Sequence, residues 1–345
     1  PERVFPVEGL PCPEPEDLDR IEAFDAARLF IESAHRVQPA LVTSAEAPAI
    51  VDICRQVEGL PLALQLAAGW TRVLSCEAIA EELRHGTDLL KAVDGAQSGR
   101  HASFEVVFDQ SWRLLGDTER VALARLSVFR GGFAPEAARA VAGAPLPVLG
   151  ALADKSLLRK EGSRLQMHPL VQQLAAARLA QEQRALTREA HAKYFSNLLA
   201  QWAQPTEQGD RRALEAIDAD YGNCCEAWRH GIAYGPVERL ARCAPTLHDY
   251  FDHRARFEEG LALFGEARDA PVARDDRVLR AHALAIVSHL EYRLARYPDA
   301  EASAGQALAV ASPHDRSARY QAKSVLAACA METNRLPEAA SLYQE

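Results

Sequence analysis

Apolar residues return every three or four positions through most of this chain, and the pattern is first clear between Asp25 and Leu83. Leu29, Phe30 and Ala34 share one face of a helix that Asp25 is placed to cap. Ile50, Ile53, Cys54 and Val57 share a face of the next, which Thr43-Ser44-Ala45-Glu46 opens as a capping box. Gly59 is expected as the left-handed C-cap of that helix and Pro61 as the first residue of the following one. Leu62, Leu66 and Trp70 continue the pattern, and Ser75 begins a helix carrying Ile79 and Leu83. Pro61 lacks an N–H and presents a flat ring at a tight corner. Its residues alone allow two readings, an ordinary helical hairpin or a surface for an adenine face.

The polar, glycine-containing run 94–102 predicts a linker. Helices are expected over Ser103–Leu115 and Thr118–Val128, broken at Gly131-Gly132, then a short one from Pro135 and another over Leu146–Asp154. Ser156–Arg159 and Arg164–Met167 read as two short strands about a turn at Glu161-Gly162. Helices followed by a hairpin make the layout of a winged helix, and Pro169 begins a last helix.

From about Thr187 the chain is helical and repetitive. Arg256-Phe257-Glu258-Glu259-Gly260, Arg296-Tyr297-Pro298-Asp299-Ala300 and Arg335-Leu336-Pro337-Glu338-Ala339 share one pattern: Arg, an apolar residue, Glu or Pro, an acid and a small residue. Their offsets are 40 and 39 residues. This predicts tetratricopeptide-like helical hairpins that stack into a solenoid with a concave groove. The array is expected to continue past Glu345. At the other end Val4–Val7 reads as a short strand and Pro11–Pro15 as an extended connector.

Composition narrows the classes. Hydrophobic residues make up 48% and charged residues 25%, while aromatics are only 7%, a balance that favours helices around alanine and leucine. The net charge of -9 argues against a large nucleic-acid surface. No apolar run approaches the roughly 18 residues a membrane span needs. The chain opens Pro1-Glu2-Arg3-Val4, with neither initiator Met nor signal peptide, and is read as part of a longer cytoplasmic protein. Its seven cysteines include no Cys-x-x-Cys and read as reduced, mostly buried thiols. No compact Cys/His spacing points to a metal.

Two motifs carry candidate chemistry. His168 lies at the N-terminus of the helix that Pro169 opens, where free N–H groups attract anions. An imidazole there either caps the helix or donates to a phosphate. Gly59-Leu60-Pro61-Leu62 with Met167-His168-Pro169-Leu170-Val171 resembles the nucleotide-binding, helical and winged-helix cassette of the STAND class of signal-transduction NTPases (NB-ARC-like). Leu126–Phe133 and Asp154-Lys155-Ser156-Leu157 resemble its bacterial transcription-regulator branch. The resemblance covers about Val4–Arg184. It implies that Pro61 packs on adenine and His168 approaches the β-phosphate of ADP. Pro169 replaces the acid of the family's third motif position, so any role of that acid is absent.

No Gly-x-x-x-x-Gly-Lys-Ser/Thr occurs, so no backbone cradle for phosphates is present and no catalytic constellation is recognisable. The resemblance then implies a mainly α chain: 1–15 as the exit of an upstream NTPase domain, 16–93 as a helical lid, 103–184 as a winged helix and 187–345 as repeats. The expected function is that of the regulatory segment of a nucleotide-switched transcriptional regulator. It would close over ADP or ATP held upstream, take an inducer or protein partner on its repeats, and self-associate on activation. It would not itself be an enzyme, nor bind ADP or ATP stably alone. DNA would be met through a domain outside this sequence, because the expected recognition helix Leu146–Asp154 has no Arg or Lys. The other readings are an interaction scaffold without a switch, and direct DNA binding by the winged helix.

Overall fold

The structure, a computed structural model, describes residues 9–93, 99–272 and 276–344. The expected strand Val4–Val7, residues 94–98 of the expected linker, and Asp275 lie outside them. The chain divides into two compact units, one of residues up to Val128 with Phe133–Arg184, the other of Phe129–Gly132 with the residues from Ala185 onward.

In the first unit, α1 (Asp25–Val37), α2 (Thr43–Gln56), α3 (Pro61–Gly69), α4 (Cys76–Val93) and α5 (Gly99–Arg113) pack around Phe30, Ile50, Ile53, Cys54, Leu64, Leu66 and Ile79, all fully buried. Leu29 is only partly buried, whereas Ala34, Val57 and Leu83 are buried as their spacing predicts. The Trp70 indole donates to Ser111 Oγ at 2.9 Å, which satisfies both polar groups inside the core. Two expected caps do not form. Asp25 and Thr43 are the first residues of their helices rather than the caps, and Phe24 and Val42 take the cap position without any side-chain bond. Ser75 does cap α4, accepting the Ala78 N–H. Helix α5 begins at Gly99, so the described end of the expected linker is helical.

The winged-helix layout follows in the same unit. It comprises α6 (Asp117–Leu126), α7 (Pro135–Ala142), α8 (Leu146–Asp154), the antiparallel strands β1 (Arg159–Glu161) and β2 (Arg164–Gln166), and α9 (Pro169–Ala177). Phe133 bridges Leu165 through both backbone bonds, at 2.8 and 2.9 Å, and adds a further rung to the wing. The first strand starts three residues later than Ser156. Ser156 has φ +59 and ends α8, with the Leu157 N–H bonded back to Leu152 C=O. Leu157 and Leu158 are consequently both buried, which a half-exposed strand would not allow.

The second unit is a helical solenoid. The division between units falls inside α10 (Gln181–Gln201), which is followed by α11 (Ala203–Glu207) and α12 (Arg211–Tyr234). Three helical hairpins come next: α13 (Val237–His253) with α14 (Phe257–Asp269), α15 (Arg277–Arg293) with α16 (Tyr297–Val310), and α17 (Arg316–Glu332) with α18 (Leu336–Gln344). The first helix of each pair has 17 residues. Each corner uses the same device. A left-handed residue, Ala255, Ala295 or Asn334, precedes the repeated arginine. The arginine N–H returns to the preceding helix at Phe251, Glu291 or Ala330, and its C=O accepts from the small residue of the motif, Gly260, Ala300 or Ala339. The core beyond is largely alanine: Ala281, Ala285, Ala300, Ala304, Ala307 and Ala322 are all fully buried.

Near the start of this unit Asn223 is fully buried and uses its whole amide. Its Oδ1 accepts from the Arg130 N–H at 2.7 Å and from His191 Nε2 at 3.1 Å, and its Nδ2 donates to Gly132 C=O and Asp220. His191 lies edge-on to Phe129 and close to Phe195. Burial lowers its pKa to about 4, only partly offset by the Asn223 bond and Glu226, while Arg130 and His230 lower it further.

Two stability predictions follow from this packing. Gly260 and Gly305 both lie within helices, where alanine is favoured by about 1 kcal/mol. A Cβ on Gly260 would lie 2.8 Å from the buried Phe251 ring, whereas one on Gly305 meets nothing within 4 Å. Gly305→Ala should therefore raise the denaturation midpoint. Gly260→Ala should lower it, because overpacking costs about 1–3 kcal/mol. Urea unfolding of the two variants reads the opposite signs. His191, neutral in the fold with a pKa of about 4 against roughly 6.5 unfolded, contributes stability above pH 6.5 that is lost as pH falls toward 4. The loss is of the order of 3 kcal/mol, and His191→Gln should remove that part of the slope between pH 7 and 4.

Candidate functional site

The Gly59–Pro61 corner is built from backbone conformation. Glu58 and Gly59 are both left-handed, with φ of +53 and +65. The Gly59 N–H returns to Cys54 C=O at 3.0 Å and closes the end of α2. Glycine is required for a second reason, since the Leu10 N–H donates to Gly59 C=O at 2.9 Å and a Cβ on Gly59 would lie 2.2 Å from Leu10 O. The preceding segment also reaches the end of α2 through Cys12 Sγ, which donates to Cys54 C=O. Leu60 caps α3 and Pro61 is its first residue, where the missing N–H costs nothing. The Pro61 ring is exposed while Ala63, Leu64, Leu66 and Ala67 anchor the helix beneath it.

His168 is the N-cap of α9. Its Nδ1 accepts the Leu170 N–H at 3.2 Å, so the neutral ring carries its proton on Nε2. Partial burial lowers its pKa, which favours that neutral form. Val171 and Ala175 bury the far side of α9, and Gln172 Nε2 donates to Ser127 C=O at 2.9 Å. The capping alternative for His168 is thus realised, with one ring donor left over on an exposed residue. Helices α3 and α9 both pack on α5, so Pro61 and His168 open two helices resting on a common third. Among the described residues no hydrogen bond or ion pair joins them.

The exposed residues of α8 are Leu146, Pro147, Gly150 and Asp154, a face without a cation to read DNA. No group of three or more metal-ligating side chains occurs among the described residues. None of the helices is long and apolar enough to cross a membrane, again among the described residues.

A further feature of the second unit escapes sequence reading. Helices α12 to α15 and α17 enclose a cavity of about 170 Å³. Trp228, Ala244, Pro245, Leu279, Ala283 and Ile286 supply apolar wall, and His248, Asp249, His282, Ser317 and Gln321 supply polar groups. His248 lies in this wall on the inner side of α13 with Asp249 next to it in sequence. The one signal in the sequence is the placement of His248 and His282 on the first helices of successive hairpins.

Comparison with known proteins adds a family context. No family model matches the chain. It is 30% identical over 347 residues to proteins described as HTH-type transcriptional regulators in Mycobacterium tuberculosis and Mycobacterium bovis. That match takes in 92% of this chain and 38% of theirs, so the chain spans about two fifths of the length of these relatives. An uncharacterized Mycobacterium tuberculosis protein is 36% identical over 118 residues, 34% of this chain and 30% of its own. Among solved structures, a STAND protein with a tetratricopeptide repeat sensor from Pyrococcus horikoshii matches at 13% identity, covering 98% of this chain and 59% of its own. Its TM-score is 0.34, short of a shared overall arrangement. Over the stretch it spans, the chain is similar to these mycobacterial proteins described as transcriptional regulators.

Proposed function

We propose that this chain is the regulatory and sensor segment of a nucleotide-switched transcriptional regulator. Residues 16–93 act as a lid and 103–184 as a winged helix, closing over ADP or ATP held by an NTPase domain upstream. The repeats from 187 onward take an inducer or protein partner. The observation that carries the reading is the pairing of an exposed Pro61 ring with the residual donor of His168, each at the start of a helix resting on α5. The proline offers an apolar face to an adenine ring and the imidazole offers Nε2–H to a phosphate. In the closed state both groups hold ADP. Occupancy of the repeats favours an open state, nucleotide exchange and self-association, because a ligand shifts such an equilibrium by its difference in affinity for the two states. Transcriptional output then runs through a DNA-binding domain elsewhere in the protein. The apolar, cation-free exposed face of α8 favours packing over DNA contact. The repeats alone equally support a scaffold that binds a protein without any switch.

His168 has two roles to separate, since its Nδ1 already caps α9. In the intact protein, His168→Ala should speed ADP release about ten- to a hundredfold, as expected for a lost bond to a charged group. His168→Asn keeps a good N-cap but shortens the reach, and should release ADP as fast as the alanine variant. Wild-type retention in both variants counts against the clamp; retention in Asn alone reduces His168 to a cap. This chain by itself should show no ATP turnover in a phosphate-release assay, and measurable turnover would overturn its assignment as the non-catalytic part.

A further inference from the structure

The cavity in the solenoid has a chemistry of its own. Its apolar lining is held by specific contacts: Trp228 Nε1 donates to Leu263 C=O at 3.2 Å, and the indole sits edge-on to Phe264 with centroids 5.1 Å apart. Its polar groups are organised in advance. His248 Nδ1 lies 3.2 Å from Asp249 Oδ1 and its Nε2 lies 3.4 Å from Gln321 Nε2. With the amide donating to Nε2, it is Nδ1–H that faces the Asp249 carboxylate. His282 Nε2 pairs with Asp315 Oδ1 at 3.3 Å.

The charge balance is one-sided. No Lys or Arg is among the lining residues, and Asp249 is the one carboxylate in the wall. The group beside its carboxylate is the His248 ring, at 3.2 Å. Two helix N-termini approach the cavity through Leu279 and Ser317, and such ends ordinarily attract anions. Here each is already closed by a carboxylate. Asp276 accepts from the Leu279 N–H at 2.8 Å, and Asp315 accepts from the Ala318 N–H at 3.2 Å. An anion entering the cavity would meet Asp249 with no lysine or arginine in the wall to balance it.

We propose that the cavity is a ligand site for a small amine, with an apolar body among Trp228, Ala244 and Ile286 and an ammonium group on Asp249. The volume sets the size. An apolar cavity of about 150 Å³ holds one benzene ring, so a ring with a short tail fits here. The inference deepens the sensor reading of the repeats and rests on it for its biological meaning, not for its chemistry.

The test is calorimetric titration of this chain with three probes of one shape: 2-phenylethylamine, 2-phenylethanol and phenylacetate. The amine should bind at one site per chain, at least about tenfold more tightly than phenylacetate, with the alcohol between them. Asp249→Asn should level the amine and the alcohol. Val278→Trp, at a half-exposed position of the wall, should abolish binding of all three while the helical circular dichroism stays unchanged. Equal binding of amine and carboxylate, or a preference that survives Asp249→Asn, overturns the charge assignment. No saturable binding of any probe into the millimolar range overturns the site. The sensor reading fails separately: amine binding to this chain with no amine response in the intact regulator leaves the cavity standing and removes its signalling role.

Discussion

The second unit depends on how closely its paired helices approach, and alanine sets that distance. Ala281, Ala285, Ala300, Ala304 and Ala307 are all fully buried between α15 and α16, and side chains this small let the backbones approach closely. Close contact between 17-residue first helices and their partners leaves room for only three residues at each corner. So short a turn needs one left-handed residue, and Ala255, Ala295 and Asn334 supply it although none is glycine. Such a conformation costs about 1 kcal/mol for an alanine and persists because the bonds on either side over-determine it. The larger side chains are displaced from the alanine seam, and around the cavity they become lining.

The first unit rests on a different constraint, the placement of helix starts. Pro61, Pro135, Pro147 and Pro169 each occupy the first turn of a helix, where a missing N–H is harmless. Two of these starts carry the candidate nucleotide contacts. At Gly59 the chain needs both a positive φ and a missing Cβ, because Leu10 crosses the corner backbone to backbone. At His168 a single imidazole closes the helix and retains one donor. A residue with a structural bond on one nitrogen and a free donor on the other can be fixed in orientation before any ligand arrives.

Much of this was legible in sequence where the physics is local. The Gly59–Pro61 corner, the extent Leu146–Asp154 and the helix starts at Pro135 and Pro169 all follow from residues with restricted backbones. The repeat was legible because its corner combines an arginine, an acid and a small residue at steady offsets. Caps were less so. A polar residue ahead of an apolar run serves as well at the first helical position as before it, and Asp25 and Thr43 took the former. The apolar pair Leu157-Leu158 reads as strand, but both residues are buried by the left-handed turn at Ser156. The cavity had no local signal, because its wall gathers residues from Trp228 to Gln321, which only the stacking of hairpins brings together.

The alanine seam has one weakness, since a surface of nearly identical small side chains says little about register. Sliding α16 by one turn would set Ala304 where Ala300 stood and Ala311 where Ala307 stood, with Leu308, brought to where Ala304 stood, as the misfit in the seam. Arginines at and beside the corners discriminate further against that error. Arg296 reaches back to Glu258 of the preceding corner, Arg335 to Glu301, Arg293 to Asp252 and Arg254 to Asp218. Each of these largely solvated pairs stabilises the fold by no more than about 1 kcal/mol. A slip of α16 by one turn, some 5 Å, would break the first two together, and the other two fix α13 and α15 in the same way. Their contribution is selectivity among nearly degenerate arrangements rather than strength, and it keeps a superhelix made of interchangeable surfaces in a single alignment.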